Sequence, residues 1–142
     1  MNDEHLILAT LETYQLAFAE KSVEKMMALF TEQGALGGIG TGEDEYLFGR
    51  EAARNLFQRN FSADVDVNFQ WGERFVEVLG DSAWVQATAQ VSGTENGVAF
   101  SAPLRWTIVL AREEGAWKWV HRHVSVATSS QEQGTAYPDK ED

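Results

Sequence analysis

The second half of the chain carries four runs of alternating apolar and polar residues, and this period constrains the fold more than any other feature. Successive side chains of a β-strand point to opposite faces of a sheet, so the alternation predicts strands with one covered face. Short turns such as Gly80-Asp81 separate the runs, and strands joined by short turns pair antiparallel. We therefore expect an antiparallel meander built from residues 65–79, 83–91, 104–110 and 117–125.

The first half predicts three helices. Apolar residues at spacings of four, three and four predict a first helix that begins near Asn2 or Asp3. Ser22 can cap a second, shorter helix, and a third is expected from Gly49 to about Ser62. The stripe of the first helix consists of Ile7, Leu11, Tyr14 and Phe18, and that of the third of Ala53, Leu56, Phe57 and Phe61.

Helices followed by a long meander indicate an α+β fold, with three N-terminal helices packed on a strongly curved antiparallel sheet. Such a sheet encloses a cone, and a cone open at one end is the usual geometry of a small-molecule site. We expect one domain over residues 1–127 and a polar, mobile tail over residues 128–142, which has little to bury.

Composition excludes several classes of partner and cofactor. The net charge of −11 repels the phosphates of nucleic acids and anionic membranes, so neither is an expected partner. The chain has no cysteine and its first residues lack a positively charged leader, which favours the cytoplasm. The glycine-rich stretch over 34–49 matches neither the dinucleotide fingerprint nor the P-loop spacing, so it is interpreted as strand and loop, and no cofactor is expected.

The last strand carries the most chemistry. Strict alternation places Trp117, Trp119, His121, His123 and Ser125 on one face, apolar at its start and polar at its end, as in a pocket wall. The opposite face then carries valines.

Two motifs resemble a known family. They are Gly115-Ala116-Trp117-Lys118-Trp119-Val120-His121-Arg122-His123-Val124-Ser125 and Gly40-Thr41-Gly42-Glu43-Asp44-Glu45, the latter followed by Gly49-Arg50-Glu51. With the order of elements over residues 6–125, they resemble the cystatin-like, nuclear transport factor two-like superfamily. Within it, the resemblance is to SnoaL-like domains and to the association (hub) domain of calcium/calmodulin-dependent kinase. The resemblance implies the cone but no single function, because this fold carries enzymes, binding modules and assembly domains.

Tyr14 matches the oxyanion-stabilising tyrosine of the steroid isomerase branch, but the position of that branch's general base reads Gly38. The resemblance therefore implies no complete isomerase site. The polyketide-cyclase branch uses an acidic residue on a late strand, where this chain offers His121 or His123.

We expect the cone to bind its ligand through five side chains, Tyr14, Glu45, Arg105, His121 and His123. Glu45 is either paired inside the cone with Arg105 or a histidine, or a solvated loop acid. The His-x-His pair could hold a metal only with a third ligand such as Asp44 or Glu45, and no metal site is predicted. His123 is the best candidate for proton transfer.

An apolar strip on the far side of the sheet predicts a homodimer packed sheet to sheet. The strip consists of Val109, Val120, Val124 and Val126.

Three hypotheses of function follow. The favoured one is a SnoaL-like domain that binds a small, partly apolar molecule, neutral or anionic, in the cone. The second is a lyase, cyclase or isomerase that uses His123, and the third is an assembly module like the kinase hub.

Overall fold

Helices precede and flank a single sheet in the computed structural model, which describes residues 2–63 and 65–139. Within these residues the helices are α1 (Asp3–Glu20), α2 (Val23–Met27) and α3 (Arg50–Ser62). The strands are β1 (Gly37–Ile39), β2 (Tyr46–Phe48), β3 (Val65–Leu79), β4 (Ser82–Glu95), β5 (Val98–Glu113) and β6 (Ala116–Ser125).

The first two helices start where side chains satisfy their free backbone N–H groups. Asn2 Oδ1 accepts a hydrogen bond from the His5 amide at 2.8 Å, and Ser22 Oγ accepts one from the Lys25 amide at 3.1 Å. Lys21 then ends α1 in the left-handed region, with φ of 52°. The three predicted helices are confirmed.

The second helix is shorter than its apolar stripe suggests. The Trp119 amide donates to Leu29 O at 2.8 Å, and the Thr31 amide donates to Trp119 O at 2.9 Å. This segment therefore pairs with β6 and does not continue the helix.

The sheet has the strand order β2-β1-β6-β5-β4-β3. β3 to β6 form the predicted antiparallel meander, and the α+β class is confirmed. The sheet also contains one parallel pairing that the sequence did not predict, between β1 and β6, with Gly37 opposite His121. The glycine-rich stretch supplies this extra strand and its partner β2.

Two irregularities in strand pairing bend the sheet and change which side chains face the helices. One lies in β3 between Trp71 and Arg74, and the other lies where β6 passes Val109 and Leu110 of β5. The second of these decides the composition of the candidate site.

The core lies between α1 and the inner face of the sheet. Trp71 Nε1 donates to Leu11 O at 2.7 Å and Trp119 Nε1 donates to Thr10 Oγ1 at 2.9 Å, which fixes the helix across the strands. Tyr14 packs among Phe69, Trp71, Trp106 and Trp119, with ring centroids 5.1–5.8 Å away.

After β6 the described residues up to 139 contain turns and bends but neither helix nor strand. The predicted tail begins within this segment, and its last three residues, like Met1, lie outside the described residues. In the part of the chain that the structure describes, no helix combines the length and apolar composition needed to cross a bilayer.

Candidate functional site

A cavity of about 160 Å³ lies between the helices and the inner face of the sheet. An apolar cavity of about 150 Å³ holds a benzene ring, so this space suits a small molecule. Its walls come from α1, α3, the β1–β2 loop and strands β3 to β6. They consist of Tyr14, Phe18, Thr41, Glu45, Phe57, Asn60, Phe69, Val91, Leu104, Trp106, Arg122 and Val124.

Arg122 is the main charged group of the cavity. It lies on β6 opposite Ile108 of β5 and Gly38 of β1, and it is only 8% exposed. Its guanidinium carbon lies 5.5 Å from the ring centroids of both Phe57 and Trp106. None of the seven ion pairs within residues 2–63 and 65–139 includes it. A buried cation that lacks a protein anion is costly, and such a group suits an anionic ligand.

Trp106 adds a second donor to the same wall. Its Nε1 is the one buried side-chain nitrogen or oxygen without a hydrogen-bond partner in the described part of the chain. Buried polar groups almost always find partners, so an orphan beside a cavity indicates a place for a ligand or a water.

Tyr14 contributes a third donor from α1. Its ring stacks on Trp119 at 5.1 Å and 11°. Burial raises the pKa of the Tyr14 phenol, Arg122 opposes this shift, and the charge of Glu45 adds to it. The hydroxyl therefore stays protonated at neutral pH and can donate.

Glu45 supplies the acceptor from the β1–β2 loop. The Gly40 amide donates to Glu45 O at 2.7 Å, which closes the loop. A Cβ on Gly40 would lie 1.9 Å from the Glu45 carboxylate, so glycine is needed here. Glu45 forms its ion pair with Arg59, at 3.7 Å, so it is neither paired with Arg105 or a histidine nor a freely solvated loop acid, the two alternatives that the sequence left open.

Arg59 also binds Asp44 of this loop at 2.5 Å. Its hydrogen bond and charge lower the pKa of the Asp44 carboxyl. The loop is thus fastened to α3 at the edge of the cavity.

The histidines do not line the cone. Val109 pairs with His121 and Leu110 with Trp119, so Val120 is an extra residue that interrupts the alternation of β6. Trp117 and Trp119 face the core before this bulge, whereas Arg122 and Val124 face it afterwards. The predicted inward placement of His121 and His123 is therefore wrong.

His123 instead lines a groove of about 390 Å³ on the outer face of the sheet, together with Arg105 and Ser125. Arg105 Nε donates to Ser125 Oγ at 3.2 Å, so Arg105 also lies outside the cone. His121 lies on the same face nearer to β1, and burial, then His123 and Arg122, lower its pKa. Of the five predicted residues, only Tyr14 and Glu45 line the cone cavity, and Arg105 and His123 meet in the outer groove.

A metal is not favoured at the histidines, since Glu45 lies on the other side of the sheet. Among the residues that the structure describes, no group of three His, Asp or Glu side chains could hold an ion.

The valine strip is also rearranged by the bulge. Val109 and Val120 are half-buried, and both are separated from Val124, which is 4% exposed and belongs to the core. The expectation that Val124 faces outward is wrong. Val126 is exposed beyond β6.

Two outer aromatics were missed by the sequence analysis. Tyr46 and Phe48 of β2 are 81% and 78% exposed, and they pair with Ile39 and Gly37 beside the histidine face. The short β2 shows too little alternation to place them from sequence.

Arg122 and Trp106 were missed as site residues as well. One signal was available for Arg122. Trp119 and Val124 are both apolar but lie five positions apart, and strict alternation buries only residues an even number of positions apart, so it cannot bury both. A bulge between the two residues would allow both to be buried.

A helix-covered, curled sheet around a cavity with buried donors defines an α+β cone protein of the cystatin-like architecture. The model of the SnoaL-like domain matches residues 7–129, and the chain belongs to this family. A search of curated proteins found no match.

Solved structures share the fold at low identity. A protein from Xanthomonas campestris, provisionally named a calcium/calmodulin dependent protein kinase II association domain, has a TM-score of 0.77 and 22% identity over 91% of each chain. A provisionally named dehydratase of the NTF2-like family from Streptomyces avermitilis has a TM-score of 0.80 and 19% identity, covering 88% of this chain and 96% of its own.

An NTF2-like protein of unknown function from Pseudomonas putida KT2440 has a TM-score of 0.78 and 16% identity, covering 100% of this chain and 99% of its own. These likenesses concern the fold alone.

Proposed function

We propose that this SnoaL-like domain binds a small, partly apolar anion in the cone, with the anionic group held by Arg122. The observation that carries the proposal is Arg122 itself, a residue that is 8% exposed and has no ion-pair partner within the described residues. The planar fork of arginine suits a carboxylate, which can accept two parallel hydrogen bonds.

The remaining donors support the same ligand class. Tyr14 and Trp106 belong to the same cavity wall, and their hydroxyl and indole N–H are hydrogen-bond donors of the kind that an anion requires. Aromatic and aliphatic side chains fill most of the rest of the wall, so the body of the ligand is expected to be apolar.

The geometry does not favour the hypothesis that His123 moves a proton on a ligand in the cone. His123 lies in the outer groove, and Gly38 leaves the inner position beside Arg122 without a carboxylate. A binding role requires neither group.

Titration calorimetry with benzoate and hexanoate tests the proposal. Arg122→Met should weaken both by about 10- to 150-fold, because hydrogen bonds to a charged group contribute about 1.5–3 kcal/mol. Arg105→Met is the matched control, since it removes the same charge from the outer face. Loss of binding with Arg105→Met but not with Arg122→Met would place the site in the outer groove and overturn the proposal.

Gly38→Asp provides a second, independent variant. A Cβ at this position would lie 3.9 Å from Arg122 Cγ, an ordinary contact, so an aspartate here would start beside the Arg122 side chain. The new internal ion pair should compete with benzoate and reduce its affinity. Unchanged affinity in the folded variant would argue against Arg122 as the anion-binding group.

We also propose a homodimer formed through the outer face of the sheet. Support comes from large apolar side chains that remain exposed there, namely Tyr46, Phe48, Phe75 and Trp84. Sedimentation at micromolar concentration should give twice the 15.8 kDa chain mass, and Phe48→Glu should shift it toward monomer. A monomer for the unaltered protein would refute this part.

A further inference from the structure

A second apolar compartment adjoins the cone cavity, and we propose that it receives the hydrocarbon tail of an amphipathic carboxylate whose head is held by Arg122. The inference rests on the proposed function, because it takes the anion site at Arg122 as given. It adds the shape and length of the ligand.

The compartment has a volume of about 220 Å³. It lies where the C-terminal ends of α1 and α3 approach the start of β3 and the end of β4. Its apolar lining consists of Phe18, Phe61, Ala63, Val65, Val67 and Val91. Phe18, Phe61 and Val91 pack on the core yet stay only half-buried, so apolar surface is left uncovered here.

The two spaces meet at shared walls. Phe18, Asn60 and Val91 line both the cone cavity and the second compartment. The 160 Å³ of the cone has room for little more than one ring, or a chain of about six carbons. A longer ligand must leave the cone, and the adjoining compartment offers apolar contact along the way.

The charges at the compartment favour a neutral tail. Its two charged side chains are Lys21 and Glu95, which carry opposite signs. Lys21 Nζ already donates to Val65 O at 2.7 Å. Lys21 is exposed, so solvent screens its charge, and this end lacks the buried cation of the Arg122 end. The ligand is therefore expected to carry its charge at one end only.

The test is a calorimetric series of straight-chain carboxylates from butanoate to decanoate, with the matching alcohols as neutral controls. Each methylene buried beyond hexanoate should raise the affinity of the unaltered protein about threefold to fourfold. If the tail has no compartment, affinity should stop rising after about six carbons. This series needs no variant, so it decides the question even if a variant fails to fold.

Val67→Phe fills the second compartment without touching the cone, because Val67 lines only the former. It should abolish the gain beyond hexanoate while leaving hexanoate itself unchanged. Val98→Phe is the matched control, since Val98 is an exposed residue of the β4–β5 hairpin and lines neither space. It should behave like the unaltered protein.

The outcomes separate the two proposals. The tail compartment would be overturned if carboxylates bind through Arg122 but their affinity does not rise beyond hexanoate. It would also be overturned if that rise in affinity survives in folded Val67→Phe, and either result would leave the proposed function intact. Equal binding of acids and alcohols, insensitive to Arg122→Met, would remove the anion site and with it this inference.

Discussion

Arg122→Met should make the ligand-free protein more stable while it removes ligand binding. The guanidinium is buried, its charge is not neutralised by any ion pair within residues 2–63 and 65–139, and methionine is a flexible apolar side chain that fills irregular gaps. Replacing buried charges with apolar residues of similar volume is often neutral or stabilises by about 1–4 kcal/mol.

The magnitude follows from two opposing effects. The variant loses cation–π contacts with Phe57 and Trp106, both at 5.5 Å, which contribute about 0.5–1 kcal/mol each. It gains relief from the desolvation of the charge, which costs several kcal/mol for a buried ion. We expect a net gain of about 1–2 kcal/mol, or roughly 3–8 °C in Tm for a domain of this size.

Urea denaturation and differential scanning calorimetry without ligand measure this effect, with Arg105→Met as the control. Arg105 is exposed in the single chain, so its substitution should change stability by no more than about 0.5 kcal/mol when sedimentation shows the same oligomeric state for this variant and the unaltered protein. If Arg122→Met instead destabilises the protein by more than about 1 kcal/mol, the guanidinium is already well satisfied in the folded chain. The argument for a ligand anion would then lose its basis.

Three further predictions concern other residues. Tyr14→Phe should weaken the binding of benzoate about tenfold. Because burial raises the pKa of Tyr14, the unaltered protein should also lose stability relative to this variant as pH rises above about 10, which the dependence of Tm on pH measures. Asp3→Asn should lower Tm above about pH 4, and the difference should shrink as pH falls further, because the Arg112 and Trp117 hydrogen bonds lower the pKa of Asp3; a difference that stays constant from pH 7 into acid would contradict this linkage. Deletion of Val120 should leave the faces of β6 unchanged, because without the extra residue strict alternation still places His121 and His123 outward and Arg122 and Val124 inward, so the variant should bind benzoate in calorimetry; lost binding in a folded variant would show that the bulge itself shapes the site.

Much of the fold could be predicted because its periodic patterns are long. The stripe of Ile7, Leu11 and Tyr14 predicts α1, and the alternation over 65–125 predicts the meander. The parallel pairing of β1 with β6 could not be predicted, because Gly37–Ile39 is too short to show any period.

Only part of the candidate site could be predicted from local patterns in the sequence. Tyr14 follows from the α1 stripe, and Glu45 from the loop motif, and both line the cone. His121 and His123 were misplaced because one extra residue in β6 reverses the faces that follow it. A bulge is set by pairing with the neighbouring strand, so local alternation alone does not reveal it.

The crystal structure of the protein grown with benzoate tests the central claim most directly. The account predicts the carboxylate in the cone within hydrogen-bond distance of the Arg122 guanidinium, with the ring against Phe57 and Trp106. Benzoate in the outer groove beside Arg105 and His123, with the cone unfilled, would contradict it.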